Sequence, residues 1–242
     1  MFASWDESAS DLLDRLIEEQ LAAARINTPP VDSYQLADSL GLEVVRDRLQ
    51  SGRARLARLS GDGMGADQPV VFLNEEPRRE RRHWAVAHEI GEYLAPQLFR
   101  RLGLDPRADA SARERLANVF ARRLLLPSSW FAPLGRESQW DLLLLKEHFT
   151  TASHEVIAQR MLDLSEPVIL TVFDANRVTW RRTNQPRRAP RLSPEEAHCQ
   201  RVAHARGEPI RHQQSDALIR AWPIHEKDWK REILRTDIPV WF

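Results

Sequence analysis

A glycine in the middle of an otherwise strong helical stretch is the feature that most narrows what this chain can become. The stretch is RRERRHWAVAHEIGEYLA, residues 78–95, and the glycine is Gly91. Asn74 and Pro77 mark its start, Glu75 and Glu76 favour the positive end of the helix dipole, and Pro96 is expected to stop it. A mid-helix glycine costs about 1 kcal/mol against alanine, so its use here suggests another backbone packed very close. A second strong helical pattern runs from about Ala110 to Leu126, its LLLP ending closed by Pro127. The two helices are expected to lie against each other.

Around that pair the texture changes along the chain. Ser8 or Ser10 can cap a first helix carrying Leu12, Leu13, Leu16, Ile17 and Leu21 on one stripe, ended by Asn27, Thr28, Pro29 and Pro30. A short helix, YQLADSL, stops at Gly41. Three strand candidates follow at 42–47, 54–60 and 69–74, separated by the turn-formers QSG and GDGMGADQ as in a small meander. A polar loop near GLDPRADA separates the two strong helices, and a helical pair, WDLLLLKEHF and HEVIAQRMLDL, follows them. Beyond Pro167 strands dominate: PVILTVFD, Ala175-Asn176 and RVTWRRT read as a hairpin, followed by a basic connector, a helix near 194–206 and the strand ALIRAWPI. The fold class is α+β, with an N-terminal helix (1–30), a core (31–136), a helix-turn-helix-like pair (137–165) and a small C-terminal α/β unit (166–242).

Composition sets the outer limits. Hydrophobic content of 42% with 29% charged residues describes a globular chain long enough to fold without disulfides. The 35 basic and 35 acidic residues cancel, so no net field draws the chain to nucleic acid or anionic lipid. Cys199 is the single cysteine, which excludes a disulfide scaffold and any cysteine-rich zinc site. The acidic N-terminal sequence is unlike a signal peptide, and LLLL at 142–145 is far too short to span a membrane, so a cytoplasmic location is expected.

The dipeptide His-Glu occurs at 88, 154 and 225, but only His88 is followed four residues later by a metal-binding side chain, Glu92. Residues four apart on a helix share a face, so His88 and Glu92 could reach one cation, with Glu89 beside them to take a proton from water. Alone, such a string arises by chance in about one chain in twenty. The following helix adds Glu114 and, one turn on, Asn118. A second helix bringing one carboxylate to the first is how a three-ligand site with an open position is built. His83 is some 140° from His88 around the helix and cannot easily join the set.

From about 33 to 163 the chain resembles the ImmA/IrrE metallopeptidases. The resembling pieces are QLADSLGLEVV, the glycine-bearing strand region, PVVFLN, RRERRHWAVAHEIGEYL, ERLANVFARRLLLP and HFTTASHEVIAQRML, in that order. The resemblance implies a zincin-like core of a small sheet plus active-site helices, with zinc held by His-Glu-x-x-His and a later glutamate. It also implies an endopeptidase that cleaves a protein, often a helix-turn-helix repressor, in gene regulation or the stress response. Carried across, His88 is the first ligand, Glu89 the general base and Glu114 the later ligand, while Asn118 is placed to hold Glu114. Glu92 stands where the family has its second histidine. Glutamate can ligate zinc, yet one imidazole with two carboxylates leaves a dication near zero net charge rather than about +1. That predicts a slower peptidase with a more alkaline optimum, or a site suited to a harder ion such as manganese; an unused metal site is the remaining alternative.

Other signals have plainer readings. The helical pair between Glu137 and Asp163 carries five acids against Lys146 and Arg160, which suits packing rather than phosphate contact. Direct nucleic-acid binding is therefore the weakest hypothesis, behind a non-catalytic relative that regulates a partner by binding. The arginines from Arg177 to Arg191 read as a solvated connector, and His198, Cys199, His204 and His212 as dispersed polar residues. Trp222, Trp229 and Trp241 are expected to cover the hydrophobic face of the C-terminal unit.

Overall fold

In the first unit, the apolar stripe of the leading helix is what attaches it. α1 (Glu7–Ala23) buries Leu13, Leu16, Ile17 and Leu21. The computed structural model describes residues 7–49, 52–59, 68–103, 105, 110–214 and 217–238. GDGMGADQ up to residue 67, most of the GLDPRADA loop and Trp241 lie outside them. The chain divides into two compact units, residues 1–139 with 147–153 and residues 140–146 with 154–242.

α2 (Ser33–Ser39) starts where the Asp32 carboxylate accepts from the Tyr34 and Gln35 N–H groups. The strands β1 (Glu43–Arg46), β2 (Ala54–Leu59) and β3 (Gln68–Leu73) lie where the sequence places them, but not as a meander. The order is β1-β3-β2, with β1 parallel to β3 and β2 antiparallel to it. The physical reason is burial: β3 hides Val70, Val71 and Leu73 and takes the centre, whereas β2 carries Arg55 and Arg58 and suits an edge.

α3 (Arg79–Arg101) runs through Pro96 rather than stopping there. Pro96 forfeits one backbone hydrogen bond, but continuing the helix buries Leu98 and Phe99, and that outweighs the loss. α4 (Ala110–Leu125) follows, with Arg123 reaching Asp14 and the Ser10 carbonyl of α1. α5 (Ser128–Glu137) was not expected, because Pro133 and Gly135 disguise it; Phe131 anchors it edge-on against Phe149. α6 (Leu142–His148) and α7 (His154–Met161) match the helical pair.

His83 does a structural job between α3 and α2. It is buried, its Nδ1 lies 3.0 Å from Ser33 Oγ, and its ring stands edge-on to Tyr34 at 5.2 Å. Burial holds its pKa below the usual histidine value; Asp32 and Glu80 pull it up, and Arg79 and Arg82 push it down. The unfolded imidazole gains its proton near pH 6.5, above the folded one. The unfolded state therefore binds more protons in that window, and the contribution to stability is complete above about pH 6.5 and lost as pH falls through it. Melting temperatures from pH 7.5 to 5.5 should fall more steeply for the natural chain than for His83→Gln. Parallel slopes would remove His83 as the cause.

In the second unit, β4 (Val168–Asp174) and β5 (Arg177–Thr183) form the expected hairpin, turning at Ala175 and Asn176 with φ of 47° and 65°. β6 (Ile210–Gln214), β7 (Ala217–Glu226) and β8 (Trp229–Asp237) complete an antiparallel sheet ordered β5-β4-β8-β7-β6. α8 (Pro194–Arg206) opens with a reciprocal cap between Ser193 and Glu196 and ends at Gly207 in the left-handed region. It covers one sheet face over Phe173, Ile219, Ala221 and Leu234. On the other face, Glu155 of α7 accepts from Trp180 Nε1 and pairs with Arg231, and Arg235 lies under the Trp140 ring. α7 thus packs on this sheet and spends its acid there. Among the described residues no helix is long and apolar enough to cross a membrane.

Candidate active site

The close approach anticipated at Gly91 is present. A Cβ built there would stand 2.9 Å from the Ala117 Cα, closer than real contacts allow, and 3.2 Å from its carbonyl oxygen. α3 and α4 therefore cross backbone to backbone. His88 lies three residues before Gly91 and Glu114 three before Ala117, so one helical turn from the crossing the two helices present these side chains to each other.

There His88 Nε2 lies 3.4 Å from Glu114 Oε2. His88, Glu92 and Glu114 each offer a ligand atom, all within 4.8 Å of one another. Bonds near 2.1 Å in a tetrahedral site put ligand atoms about 3.4 Å apart, so the His88–Glu114 separation already has the right span. Asn118 Nδ2 donates to Glu114 Oε1 at 3.0 Å and to the Glu114 carbonyl, leaving Oε2 turned toward His88. The donor set of one imidazole and two carboxylates fits a divalent cation of the zinc or manganese class.

Glu89 is 8% exposed and sits beside the cluster. Its Oε2 accepts the Leu56 N–H of β2 at 2.7 Å. Burial raises its pKa, the strand hydrogen bond and His88 lower it, and Glu92 and Glu114 raise it again. A carboxylate held up in this way keeps a proton more readily than a solvent-exposed glutamate does. His88, Glu89, Glu114 and Asn118 line a cavity of about 210 Å³ with Arg53, Ala54, Trp84 and Ala85.

Two features escape sequence reasoning. Arg113 Nη2 donates to Glu92 Oε2 at 2.8 Å, and nothing in the order Arg-Glu-Arg at 113–115 announces which arginine turns inward. The edge of β2 is the other. Leu56 directs its N–H away from β3 and toward Glu89, so the alternate residues Ala54 and Arg58 direct backbone groups the same way. The strand itself was foreseen, but its edge position depends on the sheet order.

Comparison with known proteins follows the same lines. The family model Peptidase_M78, described as the IrrE N-terminal-like domain, matches residues 37–162, just over half the chain. A solved structure described as a Mycobacterium tuberculosis transcriptional regulator superposes with a TM-score of 0.63 at 17% identity, covering 96% of this chain and 77% of that one. At that identity the likeness establishes the shared fold. A comparison with curated proteins gives no match.

Proposed function

We propose that this chain, which belongs to the Peptidase_M78 family of IrrE N-terminal-like domains, is a cytoplasmic metal-dependent endopeptidase that cuts a protein substrate, a helix-turn-helix repressor being the favoured class. The observation that carries the reading is the convergence of His88, Glu92 and Glu114 within 4.8 Å beside the buried Glu89. His88, Glu92 and Glu114 would hold zinc or manganese, which when bound polarises a scissile carbonyl. The rest falls to the protein. Glu89 accepts a proton from the attacking water and returns it to the leaving amine. The outward backbone groups of β2 would pair with an extended substrate and set the scissile bond against the cavity. Such pairing requires an unfolded or loop segment in the substrate.

Arg113 answers the electrostatic difficulty raised by Glu92. Two carboxylates would neutralise a dication, but the guanidinium 2.8 Å from Glu92 restores about one positive charge beside the site. Arg113→Ala should therefore lower cleavage by roughly 10–100-fold while metal is retained. Metal content and cleavage rate measured on the same preparation check this; an unchanged rate would show that the charge is not felt.

The Arg113–Glu92 pair also favours a second reading. Glu92 is already neutralised by a protein cation, as in a relative that has left catalysis and regulates its partner by binding. Metal analysis of protein purified without chelator, combined with mass spectrometry of repressor proteins incubated with it, separates the two. Stoichiometric metal and a single chelator-sensitive cut support the peptidase. A chain that takes up neither zinc nor manganese and leaves every repressor intact is the binding protein.

A further inference from the structure

We infer a second site for a divalent cation, of the zinc class, formed by His204, His225 and Glu232 in the C-terminal unit. It is independent of the peptidase reading. The argument starts from register. On the face covered by α8, β7 presents Ile219, Ala221, Pro223 and His225, and β8 presents Lys230, Glu232, Leu234 and Thr236. The row is apolar in the middle and becomes polar toward the β7–β8 turn, where the last turn of α8 brings His204 over it. Glu232 stands opposite Pro223 and diagonal to His225, so no bulky cross-strand neighbour separates the two.

The result is a carboxylate with 0% exposure and two imidazoles aimed at one of its oxygens. His204 Nδ1 and His225 Nε2 each lie 2.8 Å from Glu232 Oε1. The Gln200 amide donates to Oε2 at 3.0 Å and to Asn176 Oδ1 at 2.9 Å, and Asn176 Nδ2 lies 3.1 Å from His204 Nε2. Among the described residues the ion-pair partners of Glu232 are these two imidazoles alone. An ionised carboxylate taken fully out of water needs positive charge beside it. A dication bound among the three groups supplies it.

The donor chemistry selects the ion. Two imidazole nitrogens and one carboxylate oxygen form the three-ligand set typical of zinc, with a fourth position left open. The three ligand atoms lie within 4.8 Å of one another. Opening the two 2.8 Å contacts by about half an ångström, to the roughly 3.4 Å of a tetrahedral site, is a rotamer-scale adjustment. Both histidines keep about a fifth of their side chains exposed, at 21% and 20%, which provides the approach from solvent. Gln200 would hold the carboxylate in place through Oε2, as the outer partners of metal ligands do.

Zinc chloride is the probe, titrated by calorimetry into the full chain carrying His88→Ala and Glu114→Ala, which silences the first cluster. One zinc per chain should still bind and raise the melting temperature. Adding His225→Ala, near the end of β7, should weaken that binding by roughly 100-fold or more, and loss of its contact to the buried Glu232 should also lower the zinc-free melting temperature. As a second measurement, the otherwise natural chain should carry one zinc fewer when His225 is replaced, whatever the first cluster holds. Cobalt bound in the silenced chain should give the intense visible bands of tetrahedral coordination. No zinc bound in the silenced chain, or binding indifferent to His225→Ala, would overturn the site.

Discussion

Glu89→Gln is expected to slow cleavage of the protein substrate by about 10²–10⁴-fold, the range usual for loss of a positioned general base. Glutamine keeps an oxygen to accept the Leu56 N–H, so the contact between α3 and β2 survives. It also removes a charge from a position that is 8% exposed, where burial already disfavours the ionised form. The variant should thus be folded, and at least as heat-resistant as the parent. Residual cleavage should not recover with added metal. Cleavage at the parental rate, read by mass spectrometry of the products, would eliminate Glu89 as the proton carrier.

Glu114→Ala should act differently. It deletes one of three donors and leaves His88 without the carboxylate 3.4 Å away, so metal affinity should fall by roughly 100-fold or more. Glu114 is an exposed side chain at 62%, and its loss should leave the melting temperature of the metal-free protein unchanged. Activity should vanish at ambient metal and return in part at high zinc or manganese. The contrast is the diagnostic point: metal rescues the ligand variant and not the base variant. If Glu114→Ala retains full metal and full activity, the ion is held by other residues.

The sequence and the folded chain agree where physics is local. The 3–4 spacing of Leu13, Leu16, Ile17 and Leu21, the left-handed pair Ala175-Asn176 and the tight packing at Gly91 each leave a mark a few residues long. His88, Glu92 and Glu114, chosen from a four-residue spacing and a following helix, lie together in space. Pro96 misleads because a local penalty is outweighed by burial of Leu98 and Phe99 further on. The order β1-β3-β2 and the inward turn of Arg113 depend on packing between distant segments, and no short spacing encodes them. The same holds for His204, His225 and Glu232. They come from a helix and two strands, and only register sets Glu232 diagonally across from His225.

At Gly91 one helix rests on the Ala117 main chain of the other, with the Phe120 Cβ beside it and no room for a side chain of its own. The gap across which His88 faces Glu114 is consequently gauged by the main chain itself, one turn away. A single methyl at position 91 would press on the Ala117 main chain and widen that gap.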